Sequence, residues 1–338
     1  MKKTLITLMI TTCMLLSSVA VFAESNIWDY EEFKIKENPN IVESYDIMAN
    51  EAQSKKEVSI SKADIDAEFD KIAKKFNKDK KNFTDKKRKK NLKLIEDLQQ
   101  NNVIESQDTI SITDNNMVMS AAATSDYDSN KAKLRAANFI EGILNVDEGM
   151  STWEIYKVGV THANKARDEA LKEFPKTDYT NVMLRDAFRH FSWNNMSTKD
   201  IGAYKTRTAT INHEWGILLL DPMTNYFDAR YNEYVSQGYS DAGNRALADT
   251  VLYIPTAKYY MVSICKGNYS FFKSFFDESN IMDLHNNCWG RAYAGNYPSL
   301  SYRDAFYRGK NNNELILAEN KVTNANFDYV WRSQWYTY

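Results

Sequence analysis

A chain that reverses direction often needs glycine and proline, and here 11 Gly and 5 Pro serve 338 residues. That scarcity, beside 21 Tyr and 16 Phe, favours long helices over many tight turns. Hydrophobic residues make up 43% of the chain, enough to bury a substantial core, which excludes a disordered protein. Three cysteines exclude a disulfide scaffold. The 43 basic and 45 acidic side chains nearly cancel, so the chain as a whole carries no nucleic-acid signature. One large or two smaller folded units are expected at this length.

Met1, Lys2 and Lys3 precede an apolar stretch from Leu5 to Phe22, and Val21-Phe22-Ala23 puts small residues around a cleavage point. This reads as a secretory signal peptide, residues 1–23, and makes the expected location extracellular. No later segment is long and apolar enough to span a bilayer, since Pro255 and Lys258 interrupt Val251 to Cys265. Cys265 and Cys288 remain after cleavage, and spacing alone leaves both a bridge and a reduced pair open.

Residues 24–105 form an N-terminal helical region. Ile65, Phe69, Ile72 and Phe76 repeat at helical spacing, and a second stripe runs through Leu94, Ile95 and Leu98. Residues 71–93 hold 12 basic side chains against Asp79 and Asp85. They suit a solvated face, or weak attraction to an anionic wall or membrane surface. No base-stacking pattern accompanies them, so nucleic acid is not expected as a partner. Residues 106–130, including the low-complexity run Met117 to Thr124, read as a linker. Residues 131–338 form the main domain. Ser151 and Glu154 make a capping box, opening a helix that ends before Pro175. Further helices are expected over 181–197 and 200–220, from Asp221-Pro222 onward, and over 241–253, 256–265, 269–278 and 281–292. The fold class is mainly α: a helical hairpin, a flexible linker and a multi-helix C-terminal domain.

Three predicted helices carry polar stripes where a bundle normally carries core. His190 and Asn194 share one face, Arg207, Thr210 and Glu214 a second, and Asp283, Asn286, Asn287 and Gly290 a third. Gly290 allows close backbone approach, and His162 offers a further imidazole. An unpartnered buried polar group costs about 1–3 kcal/mol, so these stripes must satisfy each other or something they bind. One solution is a hydrogen-bonded network that fixes helix register. The other is a hydrolytic site with His190, His213, Glu214 and Asp283 as catalytic candidates, supported by Arg189, Asn194, Asn286, Asn287 and Arg291. His190, His213 and Asp283 are the candidate ligands of a divalent metal such as Zn²⁺, with an unliganded carboxylate as general base. A metal-free version makes a histidine the base, oriented by Asp283. The spacing is not that of a zincin, because Ile217 stands where the second histidine would be. Nucleophile elbow, Walker loop, dinucleotide fingerprint and EF-hand are all missing from the sequence.

The ordered set D-A-x-R-H (186–190), H-E (213–214) and D-x-H-N-N-x-x-G-R (283–291) resembles a bacterial domain family of unknown function. That family occurs in secreted proteins and at the C-termini of toxin-like proteins, and the resemblance covers roughly residues 150–295. This chain departs from it at Cys288-Trp289, just after the paired asparagines. The resemblance implies an exported protein that hydrolyses a lipid, wall polymer or phosphoester. The expected function is therefore a secreted hydrolase, with or without a metal, acting on an extracellular or cell-envelope substrate. The alternative is a secreted binding or structural protein whose buried polar network only fixes the bundle.

Overall fold

A computed structural model describes residues 60–104 and 125–337. The expected signal peptide and residues 106–124 of the expected linker lie outside the described residues. The described residues form helices and connecting turns, with no strand among them.

The N-terminal hairpin forms from α1 (Lys62–Lys78) and α2 (Asp85–Gln100), capped by Ser61 with Asp64 and by Thr84. Its apolar stripe packs on the rest of the molecule: Phe69, Ile72, Ile95 and Leu98 belong to the same core as Trp215 and Phe272. Arg88 belongs to the basic block, yet it is buried between Asp249 and Tyr234. That one cation therefore serves packing rather than an anionic surface.

The next helix, α3 (Asp126–Leu134), starts inside the expected linker, capped by the Ser125 hydroxyl. Asn138, at φ 64°, makes the turn into α4 (Phe139–Asp147). The Ser151–Glu154 capping box opens α5 (Thr152–Tyr156), which runs through a π-helical stretch (Lys157–His162) into α6 (Ala163–Glu173). Helix α7 spans Tyr179–Ile201.

Two expected breaks do not occur. Helix α8 runs unbroken from Ala203 to Ser236 through Pro222, and α9 from Ala242 to Gly267 through Pro255. Proline removes one backbone donor and crowds the preceding turn, which favours a break in isolation. Here burial on either side holds the line: Leu219, Met223 and Phe227 flank Pro222, and Ile254 and Ala257 flank Pro255. Long buried faces outweigh a local defect. The chain ends through α10 (Tyr269–Phe275), α11 (Glu278–Asn296), α12 (Tyr302–Asn311) and α13 (Asn324–Ser333). Beyond α13 the aromatic tail packs inward, with Trp335 fully buried and its carbonyl accepting from the Trp215 indole. Cys265 and Cys288 are both buried and unbridged. No described helix is long and apolar enough to cross a membrane.

Two pairings matter for the site. Helix α7 lies along α11, and a Cβ on Gly290 would fall 2.3 Å from the Phe191 carbonyl oxygen, so only glycine permits that approach. Helix α4 lies against α8, where a Cβ on Gly216 would be 3.3 Å from that of Glu141.

Candidate functional site

Four helices deliver charged and imidazole side chains to one region. Helix α7 supplies Asp186, Arg189 and His190, one turn apart or adjacent, and α11 supplies Asp283 and Asn287. Helix α8 supplies His213 and Glu214, and α4 supplies Glu141.

His190 is the hub. Its Nε2 lies 3.3 Å from Asp283 Oδ2 and 3.9 Å from Asp186 Oδ1. Its Nδ1 lies 3.2 Å from Asn287 Oδ1, which can only accept, so Nδ1 carries the proton and Nε2 keeps its lone pair. Asn194 fixes that acceptor by donating to the same oxygen at 2.5 Å. Burial holds the ring well below the usual histidine range, and the Arg189 and His213 charges add to the effect. His190 is neutral, and its Nε2 accepts from Arg189 Nη2 at 2.8 Å beside two carboxylates, of which Asp186 is itself held by that guanidinium at 2.5 Å.

Those carboxylates are crowded. Burial pushes Asp283 well above its ordinary range, helped by the charges of Glu214 and Asp186. Burial also raises Glu214, against the pull of His213. Asn280 donates to one Glu214 oxygen at 3.2 Å. Glu214 Oε1 and Asp283 Oδ1 are buried without a hydrogen-bond partner, as is Arg189 Nε.

His213 behaves differently. Burial opposes its charged form, but Glu141, 2.6 Å from Nδ1, outweighs burial and raises it above the usual range. The Trp193 ring stands edge-on to His213 at 5.2 Å. His190, His213, Glu141, Trp193 and Arg189 line a cleft of about 170 Å³. Its rim carries Arg167 and Arg189, with side chains 60% and 41% exposed.

A divalent ion fits this chemistry. Asp186, His190 and Asp283 each offer a ligand atom, and those atoms lie within 4.8 Å of one another. Two buried carboxyl oxygens here, one of them on Asp283 itself, have no hydrogen-bond partner for a bound cation to displace. The His190 ring is neutral and oriented by Asn287, and an ion at Nε2 would displace the Arg189 Nη2 contact there. One imidazole with two or three carboxylates suits Zn²⁺ or a harder ion such as Mn²⁺.

Of the expected ligands, His190 and Asp283 come together with Asp186, whereas His213 Nδ1 is engaged by Glu141. Two expected support residues lie elsewhere. Asn286 is bonded in both directions to the Ile316 backbone, and Arg291 is buried between Asn194 and Gln334. Asn286 pins the loop around Ile316 to α11, and Arg291 ties α11 to α7 and to the segment after α13. Asn194 acts one step back from the site, through Asn287. His162 does not join either; it meets Ser197 and Asp200. Sequence reasoning missed two members. Asp186 sits four residues before His190, on the same helix face. Glu141 stands as a lone acid within Phe139-Ile140-Glu141-Gly142-Ile143-Leu144, a signal that was available.

Compared with family models, curated proteins and solved structures, the chain matches none.

Proposed function

We propose that this chain is a metal-dependent hydrolase of an ester or phosphoester, exported to act on an extracellular or cell-envelope substrate. One observation carries the reading: a neutral, oriented imidazole faces Asp186 and Asp283 beside orphaned carboxylate oxygens, behind an open cleft. Buried like charges at this spacing repel strongly, and a divalent cation removes that cost.

Asp186, His190 and Asp283 hold the ion, and Asn287 keeps His190 in the ligating tautomer. Bound there, the ion supplies Lewis-acid polarisation and activated water. Glu214 is the carboxylate with an oxygen to spare, suited to take the proton of the attacking water. As the bond from carbon or phosphorus to the leaving oxygen breaks, His213 gives that oxygen its proton. Glu141 orients His213 and keeps it protonated. Arg189 and Arg167 meet anionic substrate oxygens at the cleft rim. The basic start, apolar run and Ala23 site support export, as does the motif resemblance to domains of exported and toxin-like proteins.

The test is metal analysis of the purified mature protein, followed by a panel of carboxylic and phosphate esters. About one Zn²⁺ or Mn²⁺ per chain is expected, with activity lost to chelator and restored by metal. A chain that takes up no ion from Zn²⁺, Mn²⁺ or Mg²⁺ solutions, and cleaves nothing in the panel, would end the proposal. The network in which Asn194 joins Asn287, Thr210 and Arg291 favours a second reading, a binding or structural protein stabilised by buried polar contacts. On that reading Asp283→Ala lowers the melting temperature and no metal is found.

A further inference from the structure

An apolar cleft of about 210 Å³ adjoins the polar one, lined by Leu134, Ile140, Ile217 and Leu220 among others. The two clefts share Ala137, Asn138, Glu141 and His213, so the Glu141–His213 pair is the partition between them. On one side stand Arg167, Arg189 and the ion-binding histidine; on the other, hydrocarbon. Ile217 is 58% exposed there, a large apolar side chain that folding leaves in solvent. Arg189, on the polar side, gives Nη2 to Asp186 and His190, and its Nε–H has no partner. A donor without an acceptor and a hydrocarbon wall without cover meet at the proposed catalytic histidine.

We infer that the substrate is a single-chain phosphoester lipid. Its phosphate meets Arg189 and Arg167, and its alkyl chain lies against α4 and α8 over Ile217 and Leu220. The inference rests on the hydrolase reading for the bond that is cut, but not for the shape of the ligand. Charge complementarity selects the occupant. An uncharged hydrocarbon would leave the cationic rim of Arg167 and Arg189 unanswered, and a small phosphate would leave the apolar cleft uncovered. Burying the chain adds hydrophobic affinity that grows with each methylene.

Titration calorimetry on the full mature chain, with ligands kept below micelle formation, separates these cases. The probes are n-octylphosphonate, methylphosphonate and 1-octanol. Octylphosphonate is expected to bind at least tenfold more tightly than either control, with a negative heat-capacity change. Ile217→Glu, at a position on which folding does not depend, should remove about tenfold of that advantage. Equal affinity for octyl- and methylphosphonate overturns the inference, and is the result if another stretch of this chain or a second copy covers the cleft. An octyl advantage that survives Ile217→Glu also overturns it, as does 1-octanol binding as tightly as octylphosphonate. Turnover assays keep the two readings apart. Octylphosphonate binding without hydrolysis of octyl phosphate or any ester sinks the hydrolase and leaves the lipid site. Equal kcat/KM on methyl and octyl phosphates does the reverse.

Discussion

Two histidines 6.3 Å apart, ring to ring, have their pKa values pushed in opposite directions because their neighbours differ. His190 has burial and a guanidinium against its charge; His213 has Glu141 in favour of its own. In the proposed mechanism the difference suits them to different work, ligand and proton donor. Asp283→Asn keeps the shape but removes a ligand charge, so metal content is expected to fall at least tenfold, with activity, while the fold persists. An Asp283→Asn protein retaining stoichiometric metal contradicts the ligand assignment. Away from the site, His162 is buried, and burial lowers its pKa despite help from Asp200. Its folded value lies below the unfolded value of about 6.5. The unfolded chain therefore takes up a proton that the folded chain resists. The stability linked to this residue is complete above about pH 6.5 and is lost as the pH falls below it. Urea midpoints measured between pH 7 and pH 5 should drop less for His162→Gln, by about 1.4 kcal/mol for each unit of depression. Parallel pH profiles for the two proteins would rule this out.

Between elements, two features hold the helices that carry the site. Gly290 is the contact point of α7 and α11, and a methyl there would overlap the Phe191 carbonyl. Gly290→Ala should destabilise by about 3 kcal/mol, since backbone must move to admit it. It should also weaken metal binding, because the same displacement carries Asp283 away from His190. A change of less than 1 kcal/mol in chemical denaturation would show that the helices can part without strain. The second feature is Asp249 on α9, fully buried and bonded to Arg88 of α2 and to Arg230 and Tyr234 of α8. Asp249→Ala takes from two buried guanidinium groups the buried carboxylate they share, leaving only the more exposed Asp85 and Glu233, and a loss of roughly 3 kcal/mol is expected. Loss of the hairpin's protection in hydrogen exchange, before the rest of the molecule, would identify α1 and α2 as the part released.

At the scale of the whole molecule, export predicts that secreted material begins at Glu24, which N-terminal sequencing checks; a secreted form starting at Met1 contradicts it. The low-complexity run Met117 to Thr124 predicts a protease cut there. Because hairpin and main domain share one core, the two fragments should co-elute on size exclusion and separate only in denaturant. Metal is expected to raise the melting temperature of the intact chain, by about 2.7 kcal/mol of stability at a hundredfold excess over Kd. The helical class, the N-cap at Ser151, the hairpin and the three polar stripes were legible in the sequence, because each rests on spacing along a single helix. Pro222 and Pro255 misled for the same reason: local propensity marks a break, and only the packed faces around each proline carry the helix through. The sequence by itself determined that His190, Glu214 and Asp283 lie on faces where a bundle keeps its core. Only the tertiary structure decided that Asp186 and Asp283 meet at His190, that Glu141 claims His213, and that Asn286 and Arg291 serve packing, one holding a loop and the other joining helices. Those assignments depend on distances of a few ångströms between side chains on different helices. Such distances follow from where Gly290 and Gly216 let backbones meet, which no periodicity along one chain encodes.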